Sequence, residues 1–223
     1  MRSMRTVLKG ALDVVLVLCA ITTTLVFVVR GSSSQPTVTD GATRFAGWKE
    51  DLAFARRIGA GDAPYRLVVW TDYQCPACMQ FEQELETVRG QLKDSLAVVY
   101  RYNPLPIHPL AFRAAVAAEC ARAQGRFEGM HRALFAAQLH GDSLPVAALA
   151  SASAIPDTSA FRRCLADSTS AVVADVRADV SRAHTLHLRG TPGVQVGDRV
   201  ATGGMPADEL LPRLREARRR AGA

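Results

Sequence analysis

The sequence predicts an α/β domain with an inserted block of helices, preceded by one N-terminal transmembrane helix. Two observations lead to this prediction. Arg66–Thr71 reads as a buried strand, and it leads into Cys75-Pro76-Ala77-Cys78 at the start of a helical pattern. Residues 11–29 form the most hydrophobic stretch of the 223-residue chain, 48% of which is hydrophobic and 22% charged. This composition is that of a protein with an ordinary packed core.

The hydrophobic stretch at residues 11–29 predicts a membrane anchor. A bilayer core needs about 20 apolar residues, and Asp13 would lie near the cytoplasmic end of the span, where water is within reach. The first ten residues carry three basic side chains and no acidic one, so the positive-inside rule places everything after Arg30 outside the cytoplasm. The alternative is a cleaved secretory signal, although no Ala-x-Ala site follows the apolar stretch. Either interpretation predicts that the domain is exported.

The chain divides into three parts. Residues 1–30 are interpreted as a cytoplasmic tip and transmembrane anchor, and residues 31–44 as a linker because they are rich in Gly, Ser and Thr. Residues 45–221 form the folded domain, in which about 107–188 is the helical insertion.

The basic charge of the chain does not indicate a nucleic-acid partner. The net charge of +6 is concentrated at the two ends, because residues 213–223 hold five arginines and a single glutamate. The region between the ends is close to neutral and shows no basic face interleaved with aromatic residues. The terminal arginines are typical of the C-terminal end of a helix, where cations offset the helix dipole.

The strands and helices of the domain follow in a simple order. After the first strand, apolar residues recur every three or four positions from 76 to about 93, as in an amphipathic helix. Residues 95–102 read as a second strand. Residues from about 108 to 187 are alanine-rich and helical. A hairpin with the turn Gly197-Asp198 comes next, and a last helix starts near Pro206.

Five cysteines stand at positions 19, 75, 78, 120 and 164. Cys19 falls within the predicted anchor and would behave there as a small hydrophobe. The exported domain then holds an even number of cysteines in a compartment that permits disulfides. Because Cys120 and Cys164 lie in two separate helical patterns, we interpret them as a structural disulfide. The alternative is that they are two unpaired core cysteines.

The order of these motifs resembles that of the DsbA family of thioredoxin-fold thiol–disulfide oxidoreductases, in the membrane-anchored group with a helical insertion. The resemblance spans roughly residues 45–220. It rests on a set of short motifs: Trp70-Thr-Asp-Tyr-Gln-Cys-Pro-Ala-Cys78, Tyr102-Asn-Pro-Leu105, His108-Pro-Leu-Ala111, Gly125-Arg-Phe, Met130-His131, Phe161 with Cys164-Leu165, and Gly190-Thr-Pro-Gly193. It implies a thioredoxin fold with an inserted α-helical subdomain, and an enzyme that exchanges thiols and disulfides.

This chemistry needs one thiolate that attacks a disulfide and a second thiol that resolves the mixed disulfide. At the start of a helix, unpaired N–H groups and the helix dipole favour a negative charge, so Cys75 is the expected nucleophile and Cys78 the resolving thiol. Pro76 suits the first turn of a helix, and Ala77 occupies a slot in which strong oxidants of the family often carry histidine. The direction of electron flow is therefore left open.

The resemblance to the family also allows two further positions to be compared with its usual pattern. Thr191-Pro192 corresponds to the family's cis-proline loop, which lies beside the dithiol and binds the substrate chain through the backbone of the residue before proline. Val69 stands six residues before Cys75, where thioredoxin-fold enzymes commonly place a buried carboxylate that moves the proton of the resolving thiol. Asp72 is nearer to Cys75, but we interpret it as the end of the strand.

No cofactor or metal is predicted, because the five histidines are scattered and no second paired-ligand motif complements the dithiol. The alternative function is a copper-binding chaperone on the same fold, in which Cys75 and Cys78 are soft ligands. Met79 is the one nearby feature that favours it.

The expected partners are exported substrate proteins that contain cysteines, a membrane redox partner that recycles the dithiol, and the lipid bilayer around residues 11–29. The expected location is the cell membrane, with the N-terminus cytoplasmic and the catalytic domain periplasmic or extracellular.

Overall fold

The structure is a computed structural model that describes residues 43–44, 47–52, 56–137 and 143–222. The predicted transmembrane segment at 11–29, nearly all of the predicted linker, and Cys19 lie outside these residues. Within the described ranges, none of the helices has the length and apolar character needed to cross a bilayer.

The centre of the domain is a mixed sheet of six strands. The strands are β1 (Thr43–Arg44), β2 (Arg57–Ile58), β3 (Tyr65–Thr71), β4 (Leu96–Tyr102), β5 (Gly193–Val196) and β6 (Arg199–Thr202). Their order across the sheet is β1-β6-β5-β3-β4-β2. The pair β3–β4 is parallel and every other pair is antiparallel.

Eight α-helices surround or extend this sheet in the described part of the chain. They are α1 (Trp48–Leu52), α2 (Pro76–Leu92), α3 (Ala111–Arg122), α4 (Phe127–Ala136), α5 (Val146–Ala152), α6 (Thr158–Ala166), α7 (Ala171–Thr185) and α8 (Ala207–Ala221). A short 3₁₀ turn, Lys93–Ser95, joins α2 to β4.

The strand β3 is buried on both faces because the helices cover the two sides of the sheet. Successive side chains of a strand point to opposite faces. Accordingly, Leu67 and Val69 belong to the large core that includes α2 and α8, whereas Val68 and Trp70 belong to a smaller core with the end of α7. A strand covered on both sides reads as a continuous apolar run without alternation, which is how β3 and β4 appear in the sequence.

Helices α3 to α7 form the insertion between β4 and β5, as the sequence predicts. A disulfide between Cys120 in α3 and Cys164 in α6 ties two of these helices together, with their Cα atoms 5.9 Å apart. The two cysteines are 44 positions apart in the chain, so the bond closes a long loop.

The sheet begins earlier than the sequence indicates. The sequence pattern assigns Thr43 and Arg44 to the linker, but they pair with Val200 and Arg199 of β6 as strand β1. A strand of two residues has no alternation of polar and apolar positions that a sequence pattern could reveal. Its existence depends on the neighbouring strand, which only the folded chain supplies.

A buried ionic network joins the sheet to the insertion. Arg56 donates to Asp179 and lies 3.0 Å from Glu119. Arg101 of β4 also binds Asp179, at 2.9 Å, and contacts Asp51 of α1. All five side chains are nearly inaccessible to solvent. Buried charges are tolerated only when paired, so this network holds α1, β4, α3 and α7 in one arrangement.

Candidate active site

The dithiol lies in the junction between β3 and α2, at the start of the helix. Cys75 is the N-cap of the helix and Pro76 its first residue, where the missing proline N–H costs no hydrogen bond. The main-chain N–H of Cys75 donates to the carbonyl of Asp72 at 3.1 Å. The carbonyl of Cys75 in turn accepts from Cys78 and Met79, at 3.1 and 3.2 Å, and so starts the helical hydrogen bonding. These bonds place both sulfur atoms on one turn.

The two cysteines are free thiols in different environments. Cys78 is 2% exposed and Cys75 is 7% exposed, so the first is deeper in the core. A hydrogen bond with Cys78 is the largest influence on Cys75, and main-chain hydrogen bonds from Cys78 and Ala77 add to it. Together they outweigh the opposing effect of burial and lower the pKa of Cys75 to about 5. Burial, followed by the hydrogen bond to Cys75, raises the pKa of Cys78 well above its ordinary value.

This difference separates the roles of the two sulfurs. The thiolate is the nucleophile in disulfide exchange, and Cys75 is the cysteine that is already ionised at neutral pH. Cys78 keeps its proton and can give it up when it resolves a mixed disulfide. The sequence interpretation attributed the acidity of Cys75 to the helix N-terminus alone. The structure adds the Cys78 thiol as the first cause.

The loop before β5 closes the other side of the site. The peptide bond between Thr191 and Pro192 is cis, and the carbonyl oxygen of Thr191 lies 3.4 Å from Cys75 Sγ. The carbonyl of Pro192 accepts from Gly203 N at 2.7 Å, which attaches the loop to the end of β6. Among the described residues, the buried hydroxyl of Thr191 has no hydrogen-bond partner.

At Gly193 the backbone of β5 lies close to the side chains of Leu188 and Trp70, and this close packing brings the Thr191-Pro192 loop to the dithiol. Gly193 pairs with Trp70 in the β3–β5 ladder, five residues before Cys75. A Cβ atom at position 193 would lie 2.7 Å from Leu188 Cδ1 and 3.2 Å from Trp70 Cβ. A larger residue at position 193 would force Leu188 and Trp70 to shift, so glycine lets β5 pack this closely, and the pairing sets the loop beside Cys75.

Sequence interpretation missed a group of polar contacts around the turn that precedes Cys75. The carboxylate of Asp72, fully buried, accepts from Gln74 N and Leu105 N, each at 2.8 Å. It also lies 2.7 Å from Nδ1 of His108. The side chain of Gln74 accepts from Leu110 N. Asp72 was interpreted only as the end of the strand, yet it connects two loops that follow parallel strands.

A signal for this contact existed in the sequence. Parallel strands end at the same edge of a sheet, and the loop containing His108 follows β4 as the dithiol turn follows β3. Pairing the polar residues that come directly after each strand would have brought Asp72 and His108 together. The missing information was that the two predicted strands are neighbours.

A second histidine, which is buried, contacts the same turn from the insertion. His131 Nδ1 lies 3.1 Å from the hydroxyl of Tyr73, and its Nε2 lies 3.4 Å from Glu82. The ring packs against Tyr100 and Phe135, with centroid distances of 4.1 and 5.1 Å. These contacts hold the insertion against the turn and against Glu82 of α2.

No group of three or more His, Cys, Asp or Glu residues in the described ranges is arranged to hold a metal ion. Among the described residues, the sulfur of Cys75 contacts the thiol of Cys78 and the main-chain carbonyl of Thr191. The arrangement of one acidic thiol, one protonated thiol and a flanking main-chain acceptor can accept and release a disulfide without a further group.

A strand that ends at a helix-capping dithiol, with a cis-proline loop across from it, defines a class: the thioredoxin-fold thiol–disulfide oxidoreductases. Comparison of the sequence with family models agrees with this assignment. The model described as Thioredoxin matches residues 54–214, and the chain belongs to that family.

The chain is also similar to parts of longer proteins. It is 35% identical over 161 residues to the Na⁺/H⁺ antiporter NhaA 1 of Mycobacterium sp. (strain KMS), which covers 72% of this chain and 26% of the antiporter. It is 38% identical over 146 residues to NhaA 3 of Salinispora tropica, covering 63% of this chain and 21% of that protein. The match thus spans only about a quarter of these relatives.

Solved structures of thioredoxin-like proteins share the fold. A thioredoxin-like oxidoreductase from Silicibacter pomeroyi DSS-3 superposes with a TM-score of 0.67 at 24% identity, covering 78% of this chain and 99% of that one. BdbD from Bacillus subtilis, in its oxidised form, gives a TM-score of 0.64 at 20% identity, covering 74% and 92%. The thiol-disulfide exchange protein α-DsbA2 from Wolbachia pipientis gives 0.65 at 16%, covering 76% and 91%.

Proposed function

We propose that this protein exchanges disulfides with exported proteins through Cys75 and Cys78, and that its disulfide form acts as an oxidant. The observation that carries the proposal is the split in acidity between the two thiols, with the pKa of Cys75 lowered to about 5 and that of Cys78 raised. A stabilised thiolate favours the reduced protein over its disulfide. The disulfide therefore passes readily to a substrate.

In the oxidising direction, a substrate thiolate attacks the Cys75–Cys78 disulfide at the Cys75 sulfur. A mixed disulfide forms between the substrate and Cys75, and Cys78 leaves as a thiolate that takes a proton. A second substrate thiolate then attacks the substrate sulfur of the mixed disulfide, and Cys75 leaves as its stable thiolate. The protein ends as a dithiol and the substrate gains one disulfide, so two electrons move from substrate to protein.

The reverse sequence reduces a substrate disulfide. Cys75 attacks, the substrate releases one thiolate, and Cys78 then loses its proton and attacks the Cys75 sulfur. In both directions the mixed disulfide forms at Cys75. The carbonyl of Thr191 lies beside that sulfur, where an extended substrate chain could pair with the backbone of the loop.

We also propose that the domain works outside the cytoplasm, held to the membrane by residues 11–29, with a membrane redox partner that reoxidises the dithiol. The Cys120–Cys164 disulfide supports an oxidising compartment. Antiport is not part of the proposal, because the antiporters named above are matched over a quarter of their length.

A redox titration of the full chain against glutathione tests this function. Thiol alkylation would report the fraction of Cys75–Cys78 disulfide at each ratio of reduced to oxidised glutathione. We expect complete cycling, and a stable mixed disulfide with a model substrate in a Cys78→Ala variant but none in a matched Cys75→Ala variant. A pair that never cycles, or that binds Cu(I) tightly without exchanging with any protein disulfide, would contradict the proposal in favour of a copper chaperone.

A further inference from the structure

One large hydrophobic side chain is exposed in the part of the chain that the structure describes. Ile107 is 78% exposed, whereas the other large apolar side chains of these ranges are buried or partly buried. Isolated exposed apolar residues are ordinary on protein surfaces, so exposure alone says nothing about function. What matters is the position of Ile107 and the contacts that hold its loop in place.

Ile107 is the third residue of a tight turn in the loop that follows β4. The turn is closed by a hydrogen bond from His108 N to Leu105 O at 2.9 Å. The tip of a turn favours glycine, asparagine, aspartate and serine. Isoleucine is β-branched and favours packed, extended strands instead. Neither the local conformation nor burial in the core therefore accounts for an isoleucine at this position.

The carboxylate of Asp72 fixes this turn to the dithiol segment. It accepts from Leu105 N at 2.8 Å and lies 2.7 Å from Nδ1 of His108, so it contacts both ends of the turn. The main-chain carbonyl of the same residue accepts from Cys75 N at 3.1 Å. Asp72 thus joins the turn directly to the residue that carries the reactive sulfur.

A second connection lies a few residues further along the loop. The side chain of Gln74, which directly precedes Cys75 in the chain, accepts from Leu110 N. Leu110 is buried, so this end of the loop is anchored in the core. Ile107 therefore lies in a short loop whose two ends are fixed to the residues that precede Cys75. Its exposed side chain is held beside the dithiol.

The order of the strands places Cys75 between two loops. Strand β3 lies between β5 and β4, parallel to β4 and antiparallel to β5. The loop before β5, the turn after β3 and the loop after β4 consequently meet at one edge of the sheet. Thr191 is in the first of these and Ile107 in the last. On one side of Cys75 there is a main-chain acceptor, and on the other an exposed apolar side chain.

We propose that Ile107 determines which substrates react readily, by packing against an apolar side chain of the substrate segment that carries the reacting cysteine. Neighbouring strands lie about 4.8 Å apart and an extended chain advances about 3.3 Å per residue, so the contact falls about two to four residues from that cysteine, on the side away from Thr191. The packing removes apolar surface of both partners from water. The inference rests on the proposed function in taking Cys75 as the sulfur that joins the substrate.

The segment that fits this surface belongs to a chain that has not yet folded. Cysteine is among the residues most often buried in folded proteins, together with the large aliphatic residues. A segment that holds both is accessible to Cys75 and Ile107 only before its own core has formed. Glutathione has no large apolar side chain and should gain nothing from Ile107.

The test measures how fast Cys75 joins peptides in the full chain with Cys19→Ala and Cys78→Ala, so that the mixed disulfide is not resolved. Each probe is a nine-residue peptide of glycine and serine around one cysteine, held as a disulfide with thionitrobenzoate. A single leucine is placed one to four residues from the cysteine, on either side. The Cys75 thiolate attacks the peptide sulfur, and thionitrobenzoate leaves as a coloured thiolate whose absorbance gives the rate.

We expect leucine at about two to four residues on one side of the cysteine to raise the rate constant about tenfold over the all-polar peptide, which corresponds to roughly 55 Å² of apolar surface removed from water. Ile107→Asn, which suits the tip of a turn, should abolish this preference. Ile107→Leu should retain it. All of these proteins should react at one rate with the mixed disulfide of glutathione and thionitrobenzoate.

A relocated isoleucine is the matched control. Gln91 is exposed near the end of α2, sixteen residues past Cys75 and therefore about 24 Å away along the helix. The double variant Ile107→Asn/Gln91→Ile keeps the number of isoleucines but moves one away from the dithiol. It should behave as Ile107→Asn alone. Recovery of the leucine preference in the double variant would contradict a contact at Ile107.

Two other results overturn the proposal: no leucine position accelerates the reaction of the parent, or the acceleration survives in Ile107→Asn. A second measurement needs no disulfide exchange, so it still decides if Cys75 proves unreactive and the proposed function fails. The chain has four isoleucines, and methyl NMR of their δ1 groups is recorded with a leucine peptide in which serine replaces the cysteine. The signal of Ile107 should shift, and those of the buried Ile58 and Ile155 should not. An unchanged Ile107 signal contradicts the contact.

Discussion

Cys75 Sγ and the carbonyl oxygen of Thr191 lie 3.4 Å apart although 116 residues separate them in the chain. The contact exists because β5 pairs with β3, so the loop before β5 and the turn after β3 meet at one edge of the sheet. It puts a backbone acceptor next to the Cys75 sulfur, at the point where the proposed function requires a substrate chain to bind.

The alkylation rate of Cys75 should follow a titration with a midpoint near pH 5 in the reduced protein. Cys78→Ala should raise this midpoint, because the hydrogen bond from Cys78 is the first cause of the low pKa. The measurement is the pH dependence of iodoacetamide labelling at Cys75, in a Cys19→Ala background. An identical midpoint in the two proteins would show that Cys78 does not stabilise the thiolate.

The stability of the reduced protein should rise with pH relative to the oxidised protein between about pH 5 and pH 8. Cys75 is ionised in the folded state above its lowered pKa but protonated in the unfolded state until its ordinary pKa is reached. The unfolded state then binds more protons, and stability increases with pH by up to about 1.4 kcal/mol per unit. This contribution is lost as the pH falls through about 5.

Urea unfolding of both redox forms at several pH values checks this linkage. The oxidised protein is the control for the reduced protein, because Cys75 does not titrate in a disulfide and the ionisable groups outside the dithiol are the same in both forms. If the free energy of unfolding changed with pH equally in the reduced and the oxidised protein between pH 5 and pH 8, the lowered pKa of Cys75 would be contradicted.

Asp179→Asn should destabilise the fold by about 3–5 kcal/mol, because it leaves Arg56 and Arg101 buried without a shared counter-charge. Urea unfolding measures the loss. Glu128→Gln is the matched control, since Glu128 forms an exposed pair with Arg132 at 2.7 Å and should cost less than about 1 kcal/mol. Equal effects of the two substitutions would mean that the buried network contributes no more than a surface ion pair.

Removal of the Cys120–Cys164 disulfide should cost about 4 kcal/mol in the chain-entropy account, given the 44-residue separation of the two cysteines. The double variant Cys120→Ala/Cys164→Ala should unfold at lower urea but keep the parent midpoint for Cys75 alkylation, because the bond lies within the insertion. If the double variant lost stability and its Cys75 alkylation midpoint also shifted, the disulfide in the insertion would be shown to influence the ionisation of the dithiol.

The dithiol and the core elements around it could be predicted because each has a local signature. Cys75-Pro-Ala-Cys78 follows a continuous apolar strand and opens an amphipathic helix, and these patterns depend on residues that are neighbours in the chain. The hairpin turn at Gly197-Asp198 could also be predicted from residues that are neighbours in the chain. Gly197 has a positive φ of 60°, which the hairpin requires. The strand β1 has no such pattern and was placed in the linker.

What the sequence by itself determined was the chemistry, the order of the elements and the class of protein, since these follow from residue types and short spacings. What only the tertiary structure decided was how far each thiol departs from ordinary acidity, and which distant residues surround the dithiol. Asp72 meets His108, Tyr73 meets His131 and Cys75 meets Thr191. The physical reason is that burial and hydrogen bonding between residues far apart in the chain arise from strand pairing and helix packing, which no local pattern records.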